Sequence, residues 1–352
     1  MKIIDADTHI VEGEGIWDHM DPADRDFRPV TVTVDDLPGA LKQRAMAGRR
    51  FWLVDGRMYG MGGLASNAYG PGTRDISNPA ARVAHMDALG IDVQIIYPSL
   101  FLNLLVEKPV AELALAKAYN RWLAHACGGH ADRLRWLVAT APRALEGTLA
   151  EIAWGKKNGA AGVLLHGYEG DRTLDHPDFH PIYARAADLD MPICVHIGSN
   201  SPHYQAIEHG TGGRPNIVAI TAPTIVAFSA LMLSAVPQKF PSLRFGFIEG
   251  GSEWVPFAVS RTRRTASHFK TKDFTDRMLA DNRFYVTCEA HEDLPHILTV
   301  AGPDNLIIGT DYGHSDTSTE LRAPHILRER KDVPADVTAR IVSANAARFY
   351  GL

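Results

Sequence analysis

The chain has 352 residues, 45% of them hydrophobic and 22% charged, values that allow a large buried core in an ordinary globular protein. Its net charge is −5, with Lys and Arg scattered along the length, which excludes the basic stripe that a nucleic-acid footprint needs. No apolar run reaches the roughly 18 residues a membrane-spanning helix requires.

The N-terminus, MKIIDADTHIVE, enters a strand-like run with acidic residues and does not read as a signal peptide. Cys127, Cys194 and Cys288 form no CxxC pair and no even framework, which fits a reducing compartment. A cytoplasmic protein is expected.

Short apolar runs predict buried parallel strands at residues 2–6, 93–97, 134–139, 162–165, 192–195, 243–248, 283–287 and 306–309. Most are followed by helical spacing, as at 78–89, 110–127, 145–157, 179–190 and 222–236. Eight strand–helix units in a row predict an α/β fold of the closed (β/α)8 TIM-barrel type, with residues 1–352 as one domain. No GxGxxG follows the first strand, so the main signature of a dinucleotide fold is missing.

Residues 12–77 break the rhythm, with Gly-rich stretches at 58–63 and 67–73 and no long helical pattern. They follow strand one, so in a barrel they lie on the C-terminal face, where active sites are built. They are expected to be an insertion that roofs the pocket as a lid; the plainer alternative is a surface loop. Arg261, Arg263 and Arg264 read as a solvated helix face, and 334–350 as a final amphipathic helix stopped by Gly351.

Chemistry is concentrated where polar residues interrupt the strands. Strand one ends Asp5-Ala6-Asp7-Thr8-His9, and alternation would place Asp5, Asp7 and His9 on one face. Strand five ends in His196, strand six in Glu249 and strand eight in Asp311. One such residue is more often a hydrogen-bonded structural group than a ligand. Convergence on one rim changes the balance, because each would otherwise be an uncompensated polar group near the core. Oxygen and nitrogen donors without thiolates suit zinc, and also manganese or iron(II). Cys194 and Cys288 fall inside strands and read as small buried hydrophobes.

Several segments carry a resemblance: DADTH, AARVAHMDALGIDVQIIYPSL, HPDFHPIYARAADLDMPICVHIG, KFPSLRFGFIEGG, NLIIGTDYGHSD and NAARFYGL. Together they resemble the amidohydrolase superfamily, in its branch of aminocarboxymuconate-semialdehyde decarboxylase and related aromatic-acid decarboxylases. The resemblance implies that Asp7, His9, His196 and Asp311 bind one divalent metal ion, zinc above manganese or iron(II). Binuclear relatives carry a carbamylated lysine on strand four, where Gly162 to His166 offers none.

Two positions depart from the branch. Glu249 stands where it has a histidine, and Gly60 stands near its carboxylate-gripping arginine, with Arg57 three residues earlier. The resemblance implies catalytic roles for Asp311 and Glu249, and substrate contacts for His314, Arg57 and His166. Strand-end position alone leaves His166 open between substrate contact and structural hydrogen bonding. Trp254 reads as packing.

The expected reaction is decarboxylation of an aromatic or unsaturated carboxylic acid, using a metal-activated water. Hydrolysis of a C–N or C–C bond next to a carbonyl is the alternative. A non-catalytic metal-binding scaffold is the reading of a different class. A homodimer is also implied by the resemblance.

Overall fold

The computed structural model describes residues 1–33, 50–61, 68–102, 104–210, 221–315 and 317–352, for 208–210 the backbone alone. Eight parallel strands form the main sheet: β1 (Ile4–His9), β2 (Val93–Tyr97), β3 (Leu134–Val138), β4 (Ala160–His166), β5 (Ile193–His196), β6 (Phe245–Ile248), β7 (Phe284–Cys288) and β8 (Leu306–Ile308). Each is hydrogen-bonded to the next in chain order. This is the expected TIM barrel. Every residue of β1, β2, β4 and β5 is buried, as a parallel sheet covered on both faces demands.

The barrel closes at its seam through the residues that follow β8. Asp311 N–H donates to Asp7 O at 3.1 Å, and His9 N–H donates to Tyr312 O at 2.5 Å. Close approach here needs Gly309, since a Cβ at that position would lie 2.4 Å from Asp7 Cβ.

The lumen is filled by apolar side chains of the strands together with Ala346, Phe349 and Tyr350. The latter belong to the closing helix Asn345–Tyr350, which runs on from Ala335–Ala339 through a π-helical turn at Arg340–Ala344. The expected tail helix is therefore present but has a bulge within it. Gly351, at φ 70°, ends it. Tyr350 Oη donates to Ala6 O at 2.7 Å and lies 2.7 Å from Tyr97 Oη.

The expected insertion after β1 is also present. Its described residues form two 3₁₀ turns (Glu14–His19 and Pro22–Phe27) and an antiparallel sheet of Val30–Thr33, Arg50–Val54 and Arg57–Gly60. The last two strands join at Asp55-Gly56, whose φ values of 47° and 79° are those a tight hairpin requires. Trp52 is buried against Trp17 at 5.7 Å between ring centroids. Of the two Gly-rich stretches, residues 62, 63 and 67 lie outside the described residues; so do 34–49 and 64–66 of the insertion.

The insertion also holds the loop that follows β8, across the closing seam from β1. Tyr69 Oη donates to His314 O at 3.0 Å, and Arg74 Nε donates to Gly313 O at 2.7 Å. Among the described residues, no helix is long and apolar enough to cross a membrane.

Candidate metal centre and active site

The exits of β1, β5, β6 and β8 bring Asp7, His9, His196, Glu249 and Asp311 together at one end of the barrel. His9 Nε2 lies 3.4 Å from Asp7 Oδ1, 3.1 Å from Glu249 Oε2 and 3.6 Å from Asp311 Oδ1. His196 Nε2 lies 3.6 Å from Asp7 Oδ1 and 3.0 Å from Glu249 Oε2. Asp7, His9, His196 and Asp311 are buried, and the side chain of Glu249 is 5% exposed. Asp5 does not join them. The pairing of β1 with β2 slips between Asp5 and Thr8, so simple alternation does not run the length of the strand. Asp5 instead accepts from Thr310 N–H at 2.8 Å and Thr310 Oγ1 at 2.6 Å, and burial pushes its carboxyl up to about 7.

Each imidazole is oriented by the nitrogen that faces away from the centre. His9 Nδ1 is 2.9 Å from Pro98 O, and His196 Nδ1 is 3.3 Å from Ile197 O. A carbonyl only accepts, so both Nδ1 atoms carry hydrogen and both Nε2 atoms can turn a lone pair to the centre. Among the described residues, Asp7 Oδ1, His196 Nε2, Asp311 Oδ1 and His314 Nδ1 are buried without a hydrogen-bond partner. Buried polar atoms left in that state call for an unfilled bond, and a ring of nitrogen and oxygen donors suits a divalent cation.

Electrostatics point the same way. Burial would lower the pKa of His196, but Glu249 and Asp7 outweigh it and push it up to about 9. His9 is likewise driven well above its ordinary value, burial being overcome by Asp7 and Glu249. Burial would raise Asp7 and Glu249, yet the two imidazoles bring both down. Without a cation, the carboxylates therefore favour protonated imidazoles to balance their charge. A divalent ion would supply positive charge in the same place.

Asp311 differs from its neighbours. Burial first and the charge of Glu249 second push it up to about 6. Its Oδ1 faces His314 Nδ1 at 2.7 Å, and Oδ2 accepts from Thr319 Oγ1 at 2.8 Å. His314 stacks on His9 at 3.9 Å between ring centroids. Its Nε2 is 2.8 Å from Ser99 Oγ, whose own hydrogen goes to Ile10 O at 2.7 Å. Ser99 therefore accepts, Nε2 carries hydrogen, and Nδ1 faces the centre. Two sets of donors lie within 4.8 Å of one another: Asp7, His9, His196 and Glu249, and His9, Glu249, Asp311 and His314.

Two expected contact residues stand apart. His166 ends β4 in register with His196, but Nδ1 meets Glu169 Oε1 at 2.9 Å and Nε2 meets Phe101 O at 2.7 Å. Both nitrogens face acceptors, so the ring is engaged as a structural imidazolium. Arg57, on the insertion, donates to Glu107 and Gln205 and to no residue of the cluster. Trp254 is buried against Phe228 and Phe247, which is the packing role expected of it.

Other residues at the site carried no signal in the sequence. Arg82 holds the backbone of His9, Ser99 sets the tautomer of His314, and Thr287 Oγ1 accepts from Glu249 N–H at 2.8 Å. The segments AARVAHMD and YPSL contain the first two, but nothing in their spacing marks a single side chain.

Comparison with known proteins places these features. The amidohydrolase family model matches residues 4–352. The 2-amino-3-carboxymuconate-6-semialdehyde decarboxylase of Dictyostelium discoideum is 20% identical over 293 residues, 78% of this chain and 77% of its own. Among solved structures, an amidohydrolase from Mycobacterium avium subsp. paratuberculosis K-10 superposes with a TM-score of 0.81 at 17% identity, over 100% of this chain and 98% of its own. The 5-carboxyvanillate decarboxylase of Novosphingobium aromaticivorans DSM 12444, solved with manganese and 4-hydroxy-3-methoxy-5-nitrobenzoic acid, has a TM-score of 0.66 at 23% identity. It covers 79% of this chain and 81% of its own. At these identities the structural likenesses speak for the fold.

Proposed function

The chain belongs to the amidohydrolase family, and from that premise we propose that it is a decarboxylase of an aromatic or unsaturated carboxylic acid, dependent on one divalent cation. Asp7, His9 and His196 would hold the cation together with the acidic side chains at the ends of β6 and β8. Zinc suits the donor set, and manganese, which the Novosphingobium decarboxylase was solved with, is the other candidate. When bound, the cation supplies Lewis-acid anchorage for substrate oxygens.

The observation that carries the reading is geometric: Asp311 stands beside the donor cluster with its Oδ1 2.7 Å from His314 Nδ1, at the mouth of the barrel. Decarboxylation needs one proton, delivered to the carbon that bears the carboxylate. The C–C bond then breaks, its electron pair returns to the unsaturated system, and CO2 leaves. A side chain with a pKa close to the working pH can give that proton and take another from solvent. His314, partly exposed at the mouth, connects Asp311 to the outside. The insertion of residues 12–77 acts as the lid, its Tyr69 and Arg74 pinning the loop that carries His314.

Hydrolysis next to a carbonyl is the second reading, since the same acid can protonate a leaving group. Metal-loaded protein incubated with aromatic acids, amides and ring-fission products in deuterated or ¹⁸O-labelled water separates the two. CO2 release with deuterium on the vacated carbon is expected. ¹⁸O from water in the product, with no CO2 released, would reverse the order.

A further inference from the structure

We propose that Tyr350, on the closing helix, is a positioning residue of the metal centre: the two hydrogen bonds of its one hydroxyl fix Asp7, His9 and His196 from the lumen side. The inference rests on the reading of the cluster as a metal centre. It concerns these three donors and holds for any acidic side chain that completes the set.

Tyr350 Oη donates to Ala6 O at 2.7 Å. A phenol has one hydrogen, so toward Tyr97 Oη, also at 2.7 Å, Tyr350 accepts and Tyr97 donates. The first bond grips the peptide group that joins Ala6 to Asp7 in β1. The second holds the side chain of Tyr97, which ends β2 in register with His9. The Tyr97 ring lies 5.0 Å from His196 and 6.1 Å from His9 between centroids, and the two imidazoles meet edge to face at 5.0 Å. Three buried rings in mutual contact cannot turn independently. One hydroxyl near the end of the chain thus bears on the backbone of one donor and on the rings of two others.

The closing helix is fastened firmly enough to serve this purpose. Asn345 Nδ2 donates to Pro303 O at 3.0 Å and to Leu306 O at 2.8 Å, and Arg244 Nε donates to Phe349 O at 2.8 Å. The π-turn at Arg340–Ala344 supplies a second, independent sign. It accommodates one extra residue, which turns everything after it by about 100° relative to an unbroken α-helix. Turns of this kind gather at functional sites. After this one, Ala346, Phe349 and Tyr350 enter the lumen.

Tyr183 shows what a buried tyrosine with a packing role looks like. It lies on the outer helix His180–Asp188, donates to Leu174 O and packs its ring on Phe240 and Phe245. It therefore provides the control.

The test is Mn²⁺ affinity of the full-length, chelator-stripped protein, measured by calorimetry and by the EPR signal of free manganese. Loss of an outer-shell partner typically weakens metal binding about 10–100-fold. Tyr350→Phe keeps the ring and removes the hydroxyl, and is expected to fall in that range. Tyr183→Phe, which also removes a buried phenol hydroxyl, should stay within about twofold of the parent. A loss in Tyr350→Phe of less than about tenfold, or an equal loss in Tyr183→Phe, overturns the proposal.

Should Tyr350→Phe fail to fold, hydrogen exchange of the parent decides. Coupling between two sites is reciprocal, so Mn²⁺ must slow amide exchange in the closing helix. Slowing there that exceeds any in His180–Asp188 is expected, and equal slowing or none overturns the inference. If the parent binds no Mn²⁺, or His196→Ala binds it as the parent does, the reading of the cluster fails and this inference falls with it.

Discussion

The guanidinium of Arg82 donates from Nη1 to the backbone carbonyl of His9 at 3.0 Å, deep inside the molecule and with no carboxylate in salt-bridge contact among the described residues. It also donates to Gln94 Oε1 at 2.8 Å and Thr8 Oγ1 at 3.1 Å, and lies over the ring of Tyr312 at 4.5 Å. Gln94 passes the contact on to Asp5 at 3.3 Å, and Asp5 holds Thr310. One cation thus ties the exits of β1 and β8, from which Asp7, His9 and Asp311 project.

Arg82→Met should therefore disturb more than packing. It leaves the His9 carbonyl and Gln94 without donors in a buried setting, at about 1–3 kcal/mol for each unsatisfied group. A loss of about 3 kcal/mol or more is expected in chemical denaturation, together with weakened metal affinity. An unfolding curve that overlays the parent's would remove Arg82 from this role.

A second prediction concerns the filled lumen. A Cβ on Gly246 would lie 2.3 Å from the Phe349 ring tip, so Gly246→Ala must displace that ring in the filled lumen. Overpacking of this kind costs about 1–3 kcal/mol. The urea midpoint of the variant should fall accordingly. Combining it with Phe349→Leu should recover part of the loss, and failure to recover any would mean that Phe349 is not the obstacle.

His166 makes a pH prediction with a definite sign. Burial would lower its pKa, but the charge and hydrogen bond of Glu169 raise it above 6.5. A histidine whose folded value exceeds the unfolded one contributes stability that is full below about 6.5 and fades as pH rises through the folded value. The stability gap between the parent and His166→Gln should therefore be widest in mild acid and narrow toward alkaline pH. A gap that does not change with pH would mean that the ring is neutral.

Metal loading should be linked to protons. In the metal-free protein Glu249 and Asp7 outweigh burial and push His196 up to about 9, which keeps it protonated at neutral pH, and they shift His9 in the same direction. A cation must displace those protons to reach Nε2. Calorimetric titrations in buffers of different ionisation enthalpy should show at least one proton released per ion at pH 7, and acidification should expel the metal. Binding heats that do not depend on the buffer would contradict the ligand assignment.

The barrel was legible in the sequence because parallel strands covered on both faces must be continuous apolar runs, and eight of them recur with helical segments between. Asp7, His9, His196, Glu249 and Asp311 stood out for the same reason, since a polar residue ending a buried strand needs a partner. Three things were decided only by the tertiary structure. His166 looked equivalent to His196 in register and residue type, but the distant Phe101 carbonyl and Glu169 take both its nitrogens. Arg57 belongs to a separate sheet whose partners, Glu107 and Gln205, are far away in the chain. Arg82 and Ser99 act through hydrogen bonds spanning 73 and 215 residues, to His9 and His314. Local periodicity reports which face of an element is apolar. It carries no information on which remote donor or acceptor meets a side chain once the barrel closes, and that meeting sets tautomer, charge and reach at this site.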